Sequence, residues 1–185
     1  TPMSEEILVR QAAPTLAGIK TGSLFPYPCT GKKRLLDEIR AFNRRFAAKG
    51  LCLLPLRYSD GQALLYLYRP SALARDLLDE RAAALLTQAG YPGGGCGRQV
   101  VTLIRRMRAH GEFPHEVGLF LSYPPEDVKG FIDNHAANSK CAGVWKVYGD
   151  EQRARQTFEK YKKCTQIYCD LWRSGSGLDQ LAVAG

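Results

Sequence analysis

No run of apolar residues in this chain approaches the ~20 that a helix needs to cross a bilayer, so no membrane-spanning segment is expected. There is no low-complexity tract and no internal repeat. The six cysteines include no Cys-x-x-Cys pair, the element most often found at the centre of a zinc or redox motif. His115 has no second histidine four residues on, because position 119 is Leu, which excludes the metalloprotease helix pattern. The glycine-rich stretch Gly93-Gly94-Gly95-Cys96-Gly97-Arg98 lacks a Gly-Lys-Ser/Thr ending. The third glycine of a dinucleotide fingerprint would fall on Arg98, and a helix rather than a strand precedes the stretch. It reads as a flexible connection, not a phosphate loop.

What remains is ordinary globular material. The 185 residues are 45% hydrophobic and 24% charged, enough to bury a core. Lys and Arg number 26 against 18 Asp and Glu, a formal net charge of +8. That excess suits an anionic partner or a set of solvated helix faces. The stretch Ser4-Glu5-Glu6-Ile7-Leu8-Val9-Arg10 is acidic at its start and short in apolar length, unlike a secretory signal. Met3 reads as the natural start. A single globular domain over 3–185 is expected, in the cytoplasm, where cysteines are thiols or metal ligands before they are disulfides.

The patterning predicts an α/β or α+β fold. A short helix over 4–12 stops before Pro14, and Pro26 and Pro28 mark a loop. From Lys32 the spacing of Leu35, Ile39, Phe42 and Phe46 predicts a helix closed by Gly50. Residues 51–58 and 62–69 form a hairpin around Ser59-Asp60-Gly61, with Pro55 placing its first strand at an edge or a bulge. A helix capped by Ser71 buries Leu78, Ala82, Leu85 and Ala89. Another follows the glycine stretch through Val100, Leu103, Ile104 and Met107 to about Ala109. The apolar run 116–121 is expected as a buried strand and 143–148 as the last strand, with a helix from Pro125 between them. Asp150 caps a long final helix whose stripe of Ala154, Phe158, Tyr161, Thr165, Tyr168 and Trp172 packs along most of its length. Four strands with five or six helices make a mixed sheet.

Four segments carry a resemblance: Ala13-Pro14-Thr15-Leu16-Ala17-Gly18-Ile19-Lys20, Phe113-Pro114-His115-Glu116-Val117-Gly118-Leu119-Phe120-Leu121, Trp145-Lys146-Val147-Tyr148-Gly149-Asp150 and Tyr161-Lys162-Lys163-Cys164. Together they resemble a bacterial domain-of-unknown-function family, number 3793, associated with anaerobic bacteria. The resemblance covers nearly the full chain. It implies an intracellular, single-domain protein, and it brings no catalytic residues to transfer. The family's first motif is associated with a His-Cys pair just before its Ala-Pro-Thr. Gln11 and Ala12 stand there in this chain, which argues against those two positions being essential.

The chemistry is therefore read from side chains. His115 and Glu116 form the best acid–base candidate, although adjacent strand residues point to opposite faces. Lys146 and Tyr148 share one face of the presumed last strand with Val144. A lysine in an apolar strand needs solvent or an anion. Lys20, flanked by Gly18 and Gly22, is a second anion contact. Cys141, Cys164 and Cys169 are the weak metal candidates, against core packing as the plainer role. Arg98, Arg105, Arg106, Arg108 and His110 make one helix basic, but no aromatics interleave them, which disfavours nucleic acid. The leading expectation is a small anionic ligand bound at the strand ends by Lys20, Lys146 and Tyr148, with His115 or Glu116 as general base. A thiol-based metal or redox protein, and an interaction module for an acidic protein or nucleic acid, are the alternatives.

Overall fold

The computed structural model describes residues 2–109 and 111–185. His110, expected at the end of the basic helix, lies outside the described residues. In chain order the elements are α1 (Glu5–Leu16), β1 (Gly22–Pro28), α2 (Lys32–Phe46), a 3-10 turn (Ala47–Lys49), β2 (Cys52–Ser59), β3 (Gln62–Tyr68), α3 (Pro70–Asp76), α4 (Glu80–Gln88), α5 (Cys96–Arg108), a 3-10 helix (His115–Phe120), α6 (Pro125–Asp133), β4 (Cys141–Ala142), β5 (Lys146–Val147), α7 (Glu151–Arg173) and α8 (Leu178–Leu181). The class is mixed α+β. Among the described residues, no helix is long and apolar enough to cross a membrane. The chain divides into two compact units, Thr1–Ser71 with Lys163–Gly185, and Ala72–Lys162.

The first unit is built on an antiparallel sheet in the order β1-β3-β2. The hairpin β2–β3 forms where expected, and Asp60 (φ 45°) and Gly61 (φ 76°) supply the two left-handed positions of its turn. Pro55 sits on an edge strand beside a register shift between Pro55 and Arg57, so it meets both expectations for it. The loop expected around Pro26 and Pro28 is instead strand β1. Their spacing of two puts both missing N–H groups on one side of the strand, and an edge strand has one side with no ladder to complete. Leu35, Ile39, Phe42 and Phe46 of α2 are all buried, together with Leu8, Phe25, Leu53, Leu65 and Leu67.

Helix α1 runs past Pro14 rather than stopping before it. Its backbone leaves helical geometry at Ala12 (φ −135°, ψ 18°). Pro14 thus falls in the first turn of the helical segment beyond that break, where its missing N–H costs little. Arg69, just after β3, is buried and reaches four carbonyl oxygens: Thr15 at 2.8 Å, Leu16 at 2.9 Å, Lys49 at 3.0 Å and Val183 at 2.8 Å. Thr15 and Leu16 are the last residues of α1, so the guanidinium lies at the negative end of its dipole.

In the second unit the run 116–121 is not a strand. It is the 3-10 helix His115–Phe120, with Val117 N–H donating to the Pro114 carbonyl at 3.2 Å and Leu121 N–H to that of Gly118 at 3.0 Å. Glu116 to Leu121 are buried without a break, a pattern that a buried helix turn satisfies as well as a two-sided strand. The strand expected over 143–148 shrinks to β5. Its Lys146 and Val147 pair with Ala142 and Cys141 of β4, while Gly143 to Trp145 make the turn. The mixed four-stranded sheet is thereby replaced by a three-stranded antiparallel sheet and a two-stranded ribbon. On α4, Ala82 and Leu85 are buried as expected, but Leu78 lies before its start and is 81% exposed. On α7 only Ala154 and Tyr161 are buried, so its expected stripe packs less completely than its spacing implied.

Candidate functional site

A buried polar arrangement in the second unit centres on Asp127, in the first turn of α6. Its Oδ2 accepts the Trp145 indole N–H at 2.7 Å, and its Oδ1 accepts the backbone N–H groups of Tyr148 at 2.9 Å and Gly149 at 2.8 Å. One buried carboxylate therefore fastens the β4–β5 ribbon to α6. Close packing completes the joint. A Cβ on Gly130 would stand 2.3 Å from Tyr148 Cγ, and one on Gly143 would stand 2.4 Å from Phe158 Cδ2. Glycine is needed at both positions for contact, not for backbone conformation.

This joint forms part of the wall of a cavity of about 360 Å³. Phe113, Tyr123, Phe131 and Trp145 supply aromatic surface, and His115 and Lys146 are also among the lining residues. The His115 ring lies 5.2 Å from that of Phe131, and Tyr123 lies 5.0 Å from Trp145. Burial pushes the Tyr123 phenol up, and its hydroxyl donates to the Val144 carbonyl at 3.3 Å. Asp127 also lines the space, but three donors already occupy it.

Lys146 extends its ammonium to the Ala136 carbonyl at 2.7 Å, and the Tyr148 hydroxyl donates to Ala137 at 2.9 Å. These two side chains brace a loop in which His135, Ala136 and Asn138 are all left-handed. An ammonium has three donors, and this bond uses one. His115 is half-exposed, with Nε2 3.8 Å from Glu112.

The acid–base pair is divided. Glu116 is buried, accepts the Tyr91 hydroxyl at 3.0 Å and pairs with Arg106 Nε. Burial, then the Glu116 charge, push the Tyr91 phenol up. Neither Glu116 nor Tyr148 lines the cavity, whereas His115 and Lys146 both do. Lys20 belongs to the first unit, half-buried after α1, with its backbone N–H on the Pro14 carbonyl at 3.1 Å. Desolvation pushes its amine down to about 8. Cys141 lies on β4 and Cys164 and Cys169 on α7. Among the described residues, no three His, Cys, Asp or Glu side chains gather as a metal site. A larger cleft in the first unit, about 990 Å³, is lined by Lys32, Lys33, Arg34 and Arg45; the two arginines are ion-paired, with Glu38 and with Glu5 and Asp179 respectively.

Sequence reasoning saw Asp127 only as an acidic residue suited to a helix start, and did not see the aromatic wall. The available signal was partial: of the four aromatics in the wall, Phe113 and Trp145 fall in the motif segments, while Tyr123 and Phe131 do not. Those segments coincide with a family match: residues 8–182 fit the family described as protein of unknown function DUF3793. The chain belongs to this family. No curated protein matches it, and no solved structure does. In this DUF3793 member, the segment Phe113–Leu121 contains the 3-10 helix, and Trp145–Asp150 supplies the three donors to Asp127.

Proposed function

We propose that the second unit is a binding module for a small anionic molecule, held in the 360 Å³ cavity by Lys146 and His115. One observation carries this reading: two nitrogen-bearing side chains from separate elements line the same largely aromatic cavity. Its volume lies in the usual range of ligand sites, roughly 300–1,000 Å³. Lys146 keeps donors to spare after its bond to Ala136, and an ammonium against apolar walls favours an anion over water alone. Proton transfer in the cavity falls to His115, because Glu116 is engaged by Arg106 and Tyr91.

Isothermal titration with acetate, phenylacetate, inorganic phosphate and phenyl phosphate tests the reading. At least one of these anions is expected to bind to the native protein. Binding should fall at least tenfold in Lys146→Met and be largely kept in Lys146→Arg. Anion affinity that is the same in Lys146→Met and in the native protein would contradict the proposal.

A further inference from the structure

We infer that the ligand of this cavity is an aromatic anion, a flat ring carrying a carboxylate or phosphate group. The inference rests on the anion-binding reading above and concerns what the rest of the ligand is. Phe113, Tyr123, Phe131 and Trp145 line the space beside His115. Two ring pairs stand in it, His115 with Phe131 tilted by 57° and Tyr123 with Trp145 tilted by 32°. Aromatic rings favour offset or edge contacts with another ring over equal contact with saturated carbon.

The Trp145 ring is also fixed in advance. Its N–H is held by Asp127, and its ring meets Phe158 at 4.6 Å and 73°. Gly118 and Gly143, both in the cavity wall, let Tyr123 and Phe158 pack directly on the backbone: a Cβ would stand 2.6 Å from Tyr123 Cδ2 and 2.4 Å from Phe158 Cδ2 respectively. A wall that is already ordered loses little freedom when a ligand enters. The volume suits a one- or two-ring molecule.

Aromatic walls also attract organic cations, but two features oppose one here. Lys146 brings a positive charge, and the Asp127 carboxylate, though still charged, is already engaged by the N–H groups of Trp145, Tyr148 and Gly149. Phe113, 40% exposed, and Val144, 42% exposed, give the opening an apolar rim.

The test compares phenylacetate with cyclohexylacetate, which has the same charge and nearly the same volume, and with benzyltrimethylammonium. Binding is followed by calorimetry and at the Trp145 indole N–H resonance. Phenylacetate is expected to bind about threefold to tenfold tighter than cyclohexylacetate, with benzyltrimethylammonium weakest. Phe131→Leu should bring the ratio of the two carboxylates towards one, and the more exposed Phe113→Leu should lower it if the first variant does not fold. Lys146→Met should weaken both carboxylates alike. Equal binding of the two carboxylates, both dependent on Lys146, would overturn the ring inference and leave the anion reading standing. Tighter binding of the ammonium compound, or carboxylate binding indifferent to Lys146, would overturn the anion reading and this inference with it.

Discussion

The Trp145 indole N–H and the Asp127 carboxylate meet at 2.7 Å, both residues buried. Because Asp127 also accepts two backbone N–H groups of the following segment, one side chain sets both the register of the ribbon and the orientation of an aromatic wall. Asp127→Asn puts an amide N–H against one of these donors, and is expected to cost about 2–4 kcal/mol. Trp145→Phe leaves Oδ2 without its partner and should cost ~1–3 kcal/mol from the unpaired oxygen, beyond lost packing. Urea unfolding of both single variants and the double variant checks this. The two costs should sum to clearly more than the loss in the double variant.

Among the described residues Arg69 has no carboxylate partner for its hydrogen bonds; its guanidinium serves four carbonyl oxygens. A lysine keeps the charge but offers one nitrogen instead of a planar fork. Arg69→Lys is therefore expected to destabilise the protein by about 2–4 kcal/mol, and Arg69→Met by at least as much. A lysine variant as stable as the native protein by denaturant titration would show that charge alone is enough there.

Lys20 makes stability depend on pH. Its ordinary value of 10.5 falls to about 8 because burial disfavours the charged amine. Below about 8 both folded and unfolded chains hold the proton, and the burial penalty is fully present. Between about 8 and 10.5 the unfolded chain keeps a proton that the folded chain has released, so this group's contribution to stability rises with pH. The stability gap between Lys20→Met and the native protein should therefore shift in favour of the native protein across that window. A gap constant from pH 7 to 10 would count against the buried amine.

Gly130 lies within α6, where alanine ordinarily improves a helix by up to about 1 kcal/mol. The added Cβ would meet the root of the Tyr148 side chain, at Cγ and Cβ, rather than a movable tip. Gly130→Ala is therefore expected to lose about 1–3 kcal/mol through overpacking. Gly97→Ala, in the first turn of α5 with nothing within 4 Å of the new methyl, should be neutral or slightly stabilising. Thermal unfolding of the pair separates contact from propensity.

The helix α2, the hairpin β2–β3 and the edge position of Pro55 were legible in the sequence, because each follows from local periodicity or turn chemistry. Strand β1 was not: prolines two apart read as a loop unless the strand is known to lie at an edge, and that is a property of the sheet. Val117 to Leu121 reads as a strand from sequence because a continuous apolar run has no period to distinguish it from a helix turn. For the site, His115 and Lys146 were found from side-chain type alone. Their separation from Glu116 and Tyr148 depended on which way a 3-10 helix and a two-residue ribbon turn their side chains. Asp127 was hidden because its three donors lie 18 to 22 residues further along the chain.

A crystal structure of the protein grown with phenylacetate tests the central claim most directly. The ligand carboxylate is predicted within hydrogen-bond distance of Lys146 Nζ, with its ring among Phe113, Tyr123, Phe131 and Trp145. Phenylacetate ordered elsewhere on the protein, with this cavity holding only water and Lys146 bonded solely to Ala136, would contradict the account.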